Sequence, residues 1–162
     1  MHVRLATLDD AEAIRGIYNV EVLQSTVTFD LVPRSLDDQR TWLRARSGAH
    51  AVVVAEDEDR TITGFGSLSP YRDRPAYSTS VEDSVYVHRD HRGRGVGRLI
   101  LAELVALAGQ HGFHTVMARI VGGHEASIGL HADLGFTEVG TEREIGRKFG
   151  KWLDVVVMQR ML

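Results

Sequence analysis

The chain contains no cysteine, so disulfide staples and thiolate metal sites are excluded. Proline is scarce, three in 162 residues, and none falls in a cluster that would read as a linker. No apolar run approaches the ~18 residues that a membrane-crossing helix requires. The opening MHVRLATLDD has no apolar core of the kind a secretory leader carries. The expectation is a cytoplasmic protein with no membrane partner. An excess of basic charge is also missing. Lys and Arg total 19 against 22 Asp and Glu, a formal net charge of −3, which argues against a nucleic-acid footprint. Eight histidines are present, but His88/His91 and His111/His114 are i, i+3 pairs without a third ligand at metal-binding spacing, and neither falls in H-E-x-x-H. No metal is expected.

What remains is ordinary for a globular domain: 43% hydrophobic and 25% charged residues. At this length roughly 68–70% of the unfolded surface can be buried, and with no repeat or linker the whole span 1–162 reads as one domain. HVRLA (2–6) alternates like a strand. TLDD places Thr7 as a helix cap with Asp10 three residues on, and SLDD repeats the device at Ser35 and Asp38. Ala11, Ile14, Ile17 and Tyr18 follow the first cap at helical spacing; Leu36, Gln39, Trp42 and Leu43 follow the second. Residues 22–33 between them read as a long loop. AHAVVVAED (49–57) and ITGFGSLSPY (62–71) form an antiparallel pair, RDRPAYS (72–78) a loop, and VEDSVYV (81–87) a third strand. VGRLILAELVALAGQHG (96–112) is a long amphipathic helix stopped by Gly112. HTVMARIV (114–121) is a strand parallel to the one before that helix, HEASIGLHADLG (124–135) a helix, and FTEVGTEREI and WLDVVVMQRML two antiparallel strands. The order β-αα-βββ-α-β-α-ββ predicts an α/β (α+β) fold, a mixed central sheet with helices on both faces.

The stretch HRDHRGRGVG, His88 to Gly97, joins a strand to the long helix with glycines at 93, 95 and 97 and arginines at 89, 92 and 94. A helix start exposes unpaired N–H groups and the positive end of the helix dipole. Glycines let an anion approach those groups without a Cβ in the way. Arg92, Arg94 and Arg98 add full charges. The stretch predicts a cradle for a phosphate or pyrophosphate. The spacing is wrong for the dinucleotide G-x-G-x-x-G, and no G-K-S/T follows for a P-loop.

The pattern R-x-x-G-x-G at Arg92, Gly95 and Gly97 resembles the acyl-coenzyme A pyrophosphate loop of the GNAT superfamily of N-acetyltransferases, and the element order matches that fold along nearly the whole chain. The chain is further similar to the branch that acetylates phosphinothricin and methionine sulfoximine. IYN and STVTFD (25–30), VEDSVYV, SIGLHADLGF (127–136) and GRKFGKWLDVVVMQ (146–159) carry that likeness, K-F-G-x-W-x-D being its most specific part. The resemblance implies transfer of an acetyl group from acetyl-coenzyme A to the α-amine of a small amino-acid-like acceptor such as phosphinothricin, methionine sulfoximine or methionine sulfone. It also implies a homodimer.

An α-amine is mostly protonated at pH 7, so a base must remove a proton. Glu82 is the candidate, with Asp83 the alternative if the strand register is shifted. Alternation puts Glu82, Ser84 and Tyr86 on one face and Asp83, Val85 and Val87 on the other. The developing oxyanion needs a backbone N–H, for which Val85 or Val87 is suited. By resemblance the coenzyme arm lies along Val85, Tyr86 and Val87, and the diphosphate in Arg92, Gly93, Arg94, Gly95, Val96 and Gly97. His131 stands where many superfamily members carry a tyrosine acid, and is read as a general acid or a positioning residue. His124 replaces the usual asparagine and Ser127 reaches the coenzyme chain. Phe29, Arg72 and Tyr77 are the acceptor-binding candidates, an arginine suiting a carboxylate; Phe149 and Trp152 would anchor a dimer or close the core. Two other functions share the anion loop: acetylation of protein or peptide amines, and a non-catalytic acyl-coenzyme A sensor.

Overall fold

The computed structural model describes all 162 residues. Strand β1 (His2–Leu5) leads through a 3-10 turn into helix α1 (Ala11–Gln24), and α2 (Leu36–Arg44) follows. Strands β2 (Val52–Glu56), β3 (Ile62–Pro70) and β4 (Ser80–Val87) precede α3 (Val96–Gln110). Then come β5 (Thr115–Val121), α4 (Glu125–Asp133), β6 (Thr137–Lys148) and β7 (Lys151–Met161). The element order is the one the sequence predicted. Some boundaries differ: α1 takes in Val22, Leu23 and Gln24, which the polar, β-branched run had assigned to the loop, and β6 runs on past Ile145 to Lys148.

Both predicted caps form in part or whole. Ser35 Oγ accepts from Asp38 N–H at 3.0 Å and Asp38 Oδ2 from Ser35 N–H at 3.1 Å. Asp10 Oδ2 accepts from Thr7 N–H at 2.7 Å. The seven strands form one sheet in the order β1-β2-β3-β4-β5-β7-β6. All neighbours are antiparallel except β4 and β5. Phe149 and Gly150, both at positive φ (51° and 72°), make the two-residue turn between β6 and β7, as a tight hairpin requires.

The sheet has a core on each face. On one, Ile100, Leu101 and Leu104 of α3 pack fully buried against Leu68, Val81 and Val116. On the other, Ile14, Tyr18 and Val22 of α1 pack against Val54 and Phe65. Burying each such side chain contributes about 1.5–3 kcal/mol. α3 lies close because β3 carries Gly66 beneath it: a Cβ there would stand 2.5 Å from Ile100 Cγ2.

The feature that makes a site is a split between the two parallel strands. β4 and β5 pair only at Ser80↔Thr115, Val81↔Val116 and Glu82↔Met117. β4 then runs on to Val87 and β5 to Val121 without pairing. β4 stays tied to β3 throughout, and β5 to β7.

Candidate active site

The split opens a cavity of about 710 Å³ between Asp83–Val87 and Ala118–Val121, with residues of α4 along one side and the glycine stretch at one end. The main-chain groups that turn into it follow from strand alternation. His88 N–H donates to Thr63 O and His114 N–H to Thr79 O, both at 2.9 Å. The even positions of β4 therefore turn to β3, and Asp83, Val85 and Val87 turn to the gap. Gly122 N–H donates to Asp154 O at 2.9 Å, so Arg119 and Val121 face the gap from the β5 side. Unpaired main-chain donors and acceptors on two diverging edges suit an extended ligand that carries amides, which can pair there as an added strand.

At the mouth, Gly95 caps α3 in the left-handed conformation (φ 81°). A Cβ at Gly93 or Gly95 would meet nothing within 4 Å. Empty space over a helix N-terminus is what an anion cradle would need there. Its arginines are not all free, however. Arg92 Nη2 lies 2.9 Å and Arg89 Nε 3.0 Å from Glu21 Oε1, and Glu21 is buried on the cavity wall. Burial pushes the Glu21 carboxyl up, but its hydrogen bonds from Arg89 and the charge of Arg92 outweigh that and hold it below its ordinary range. Glu21 was missed from sequence, where it reads as one more polar position on α1.

Of the predicted coenzyme contacts, Val85, Tyr86, Val87, Arg92, Gly93, Gly95, Val96, Gly97, His124 and Ser127 all line the cavity, and Arg94 does not. His124 Nε2 is 3.1 Å from Thr26 Oγ1, tying the α1–α2 loop to the start of α4. Burial lowers the His124 pKa. His131 lines the cavity too, but neither ring nitrogen is free. Nδ1 is 2.7 Å from Ser127 O, and Nε2 is 3.0 Å from Asp83 Oδ2. A carbonyl only accepts, so Nδ1 carries a proton. Burial lowers the His131 pKa, and the bond to Asp83 more than restores it, leaving it raised.

Glu82 occupies the last paired position before the split and lies outside the cavity lining. It shares a face with Tyr86, whose ring stacks on Phe65 with centroids 5.2 Å apart, opposite the face of Asp83. The alternation expected from sequence holds. Burial raises the Glu82 pKa, and the cations of Arg119 and Arg72 oppose that shift. Arg72 and Tyr77 line a separate shallow concavity with Tyr71, where the Tyr71 and Tyr77 rings meet edge-on at 5.5 Å. Phe29 is elsewhere, its ring seated on Gly146 of β6, which has no room for a Cβ. Within one chain the three acceptor candidates do not share one pocket. No group of three or more His, Asp or Glu side chains is arranged to hold a metal ion. No helix is long and apolar enough to cross a membrane.

The profile of the acetyltransferase (GNAT) domain matches residues 3–157. The chain belongs to the GNAT acetyltransferase family. Within that family it is similar to the phosphinothricin N-acetyltransferase of Streptomyces coelicolor, at 40% identity over 100% of this chain and 96% of that one. It is also similar to the L-methionine sulfoximine/L-methionine sulfone acetyltransferase of Salmonella typhimurium, at 36% identity over 100% and 95%. Among solved GNAT structures, the phosphinothricin acetyltransferase of Sinorhizobium meliloti in complex with AcCoA superposes with a TM-score of 0.95, at 37% identity over 99% of this chain and 87% of that one. A ribosomal-protein-alanine N-acetyltransferase from Brucella melitensis does so with a TM-score of 0.97, at 38% identity over 100% of both.

Proposed function

We propose that this GNAT domain transfers acetyl from acetyl-coenzyme A to the α-amine of a small amino-acid-like acceptor of the phosphinothricin, methionine sulfoximine or methionine sulfone kind. The supporting observation is the cavity in the β4–β5 split, which has main-chain amides along its edges and a left-handed glycine cap at its mouth. In this reading the diphosphate lies over residues 92–97 and the arm runs down β4. The thioester then reaches the closed end of the split beside Glu82.

Glu82 takes the proton from the acceptor ammonium. Burial raises its pKa, which makes it a stronger base than an exposed glutamate. The neutral amine attacks the thioester carbonyl, and the N–H of Val85, the nearer of the two candidates to the closed end, receives the oxyanion. The intermediate then collapses with cleavage of the C–S bond, and coenzyme A leaves as a thiolate that takes up the proton shed by the new amide nitrogen. His131 is a positioning residue rather than a free acid, since both its nitrogens are engaged. Arg72, whose charge bears on Glu82, meets the acceptor carboxylate, with Tyr77 of the same concavity contributing apolar surface. A homodimer fits the exposed apolar side chains of the edge hairpin: Ile145, Phe149 and Trp152 are 54%, 56% and 60% exposed. Cytoplasmic residence accords with the absence of cysteine.

The test is release of coenzyme A thiol by the purified protein offered acetyl-coenzyme A with each of the three acceptors, with common amino acids, and with alanine-ended peptides. Release with the small acceptors is expected. The likeness to a ribosomal-protein-alanine acetyltransferase favours a second reading, in which the amine belongs to a protein N-terminus. Release with peptides alone would replace the first reading by that one.

A further inference from the structure

The proposed chemistry leaves one cation on the cavity wall unused, Arg119 of β5. The sheet register places it. Glu82 pairs with Met117, so their side chains share a face, and Arg119, two residues on, returns to that face. Arg119 stands opposite Val157 of β7, and Glu142 of β6 stands opposite Val155. Arg119 therefore reaches across β7, where its Nη1 donates to Glu142 Oε1. Neither side chain is closed off: Arg119 is 26% exposed and Glu142 35%.

A guanidinium has five N–H donors in a rigid fork. In Arg119 the bond to Glu142 uses Nη1; Nε and Nη2 have no partner in the chain, and neither is buried away from solvent. The carboxylate fixes the fork without filling it, and leaves an open edge able to take a second anion. Glu82 thus has a cation in each direction. Arg72 comes from the loop after β3, whose last residue, Pro70, pairs with Val81, one residue before Glu82. Arg119 lies the other way along the strands, past the Glu82↔Met117 pair. Burial raises the Glu82 pKa, and of the two cations that resist this Arg119 acts more strongly than Arg72, as a charge close by should. An α-amino acid whose amine meets Glu82 has one carboxylate for these two cations. The second cation is left for its side chain. Phosphinothricin ends in a phosphinate, an anion at neutral pH, whereas methionine sulfone ends in an uncharged sulfone. The charged oxygens make the stronger bond to a guanidinium.

We propose that the open edge of Arg119 binds the far end of the acceptor side chain and selects acceptors ending in an anionic oxygen group, with Glu142 holding the guanidinium in place. This rests on the acetyl-transfer reading, with the acceptor amine at Glu82. It names the acceptor class within that reading: phosphinothricin ahead of methionine sulfone.

The test is the ratio of kcat/KM for phosphinothricin to kcat/KM for methionine sulfone, read by release of coenzyme A thiol. Loss of the Arg119 charge also bears on Glu82, but that effect falls on both acceptors and cancels in the ratio. Wild type should favour phosphinothricin. Arg119→Met should lower the ratio about tenfold or more, the scale of a hydrogen bond between charged groups, through KM for phosphinothricin. Arg119→Met combined with Glu142→Gln, which removes the carboxylate left without its cation, should show the same fall. Arg119→Lys, which keeps the charge but not the fork, should fall less. Both positions are partly exposed, so the variants should fold. A wild type that favours methionine sulfone overturns the proposal and leaves acetyl transfer standing. So does a ratio that Arg119→Met leaves unchanged; an equal loss on both acceptors would assign Arg119 to the carboxylate they share. A fall that the double variant reverses also overturns it, because repulsion by the bare Glu142 would then be the cause. A wild type that releases thiol with neither acceptor overturns both readings.

Discussion

Arg92, the first residue of the anion-loop pattern, donates to Glu21 of α1 at 2.9 Å, so the cradle is held to the opposite side of the fold by a buried carboxylate. Arg89 shares the same oxygen at 3.0 Å. Arg92 and Arg89 are half-exposed while Glu21 is buried, so the carboxylate depends on the arginines more than they depend on it.

Replacing Glu21 by Gln should lower stability by about 1–3 kcal/mol at pH 7, the scale of a lost charge-assisted hydrogen bond. The folded-state pKa of Glu21 is depressed. Its contribution is therefore present above the unfolded value near 4.5 and is lost as pH falls through the folded value. Thermal melts from pH 7 to 3 should show a shallower acid decline for Glu21→Gln than for wild type. Parallel curves would mean that the carboxylate contributes nothing.

Glu82→Gln should reduce kcat about 10²- to 10⁴-fold, the usual worth of a general base, with the Kd for coenzyme A changed little. In wild type the acid limb of kcat should lie above the ordinary glutamate value of 4.5, because burial raises this pKa. Turnover must fall as pH drops through it and the base becomes protonated. Stopped assays across pH 4–8, with calorimetry for binding, check both parts, and an unchanged rate removes Glu82 from the chemistry.

Gly95→Ala separates backbone strain from anion binding. The residue holds φ 81°, which costs a side-chain-bearing residue about 1–2 kcal/mol. A Cβ there would meet no neighbour, so the fold should survive with a modest loss of melting temperature. Coenzyme A affinity should fall about tenfold or more, because the methyl group keeps the diphosphate from the amides. A variant that binds coenzyme A like wild type would place the diphosphate elsewhere.

Arg72→Ala should act on the acceptor side alone. KM for a carboxylated acceptor should rise about tenfold or more, as for a lost charge-assisted pair, while KM for acetyl-coenzyme A stays level. For an acceptor amine lacking the carboxylate, wild type and variant should be equally poor. An identical loss with both acceptors would assign Arg72 to the pocket's shape and not to the carboxylate.

Much of the fold was legible because its signals are local. The capping pairs Thr7/Asp10 and Ser35/Asp38, the apolar spacing in 96–108, the alternation of 81–87 and the glycine run before Val96 each act within a turn or two of chain. The proposed coenzyme contacts between Val85 and Gly97 were legible for the same reason: one strand, one turn and one helix start bring them to the cavity. Glu21, the pairing of Asp83 with His131 and the Ala118–Val121 wall were not readable, because they are set by partners 71, 48 and about 35 positions away. Such partners leave no spacing pattern. Phe29, Arg72 and Tyr77 were named as one acceptor set from loops, whose paths depend on packing, and the fold distributes them over two places.

The sequence by itself determined which segments are strands and helices, where the helices begin, and that a glycine-rich turn with free backbone precedes the third helix. Those outcomes follow from propensities, capping and glycine backbone freedom, all expressed over short distances. Only the tertiary structure decided that β4 and β5 part after Glu82, that Arg92 is already paired, and that Asp83 is buried against His131. These depend on which surfaces the sheet brings face to face, and a buried charge takes its meaning from the atoms around it rather than from its neighbours in the chain.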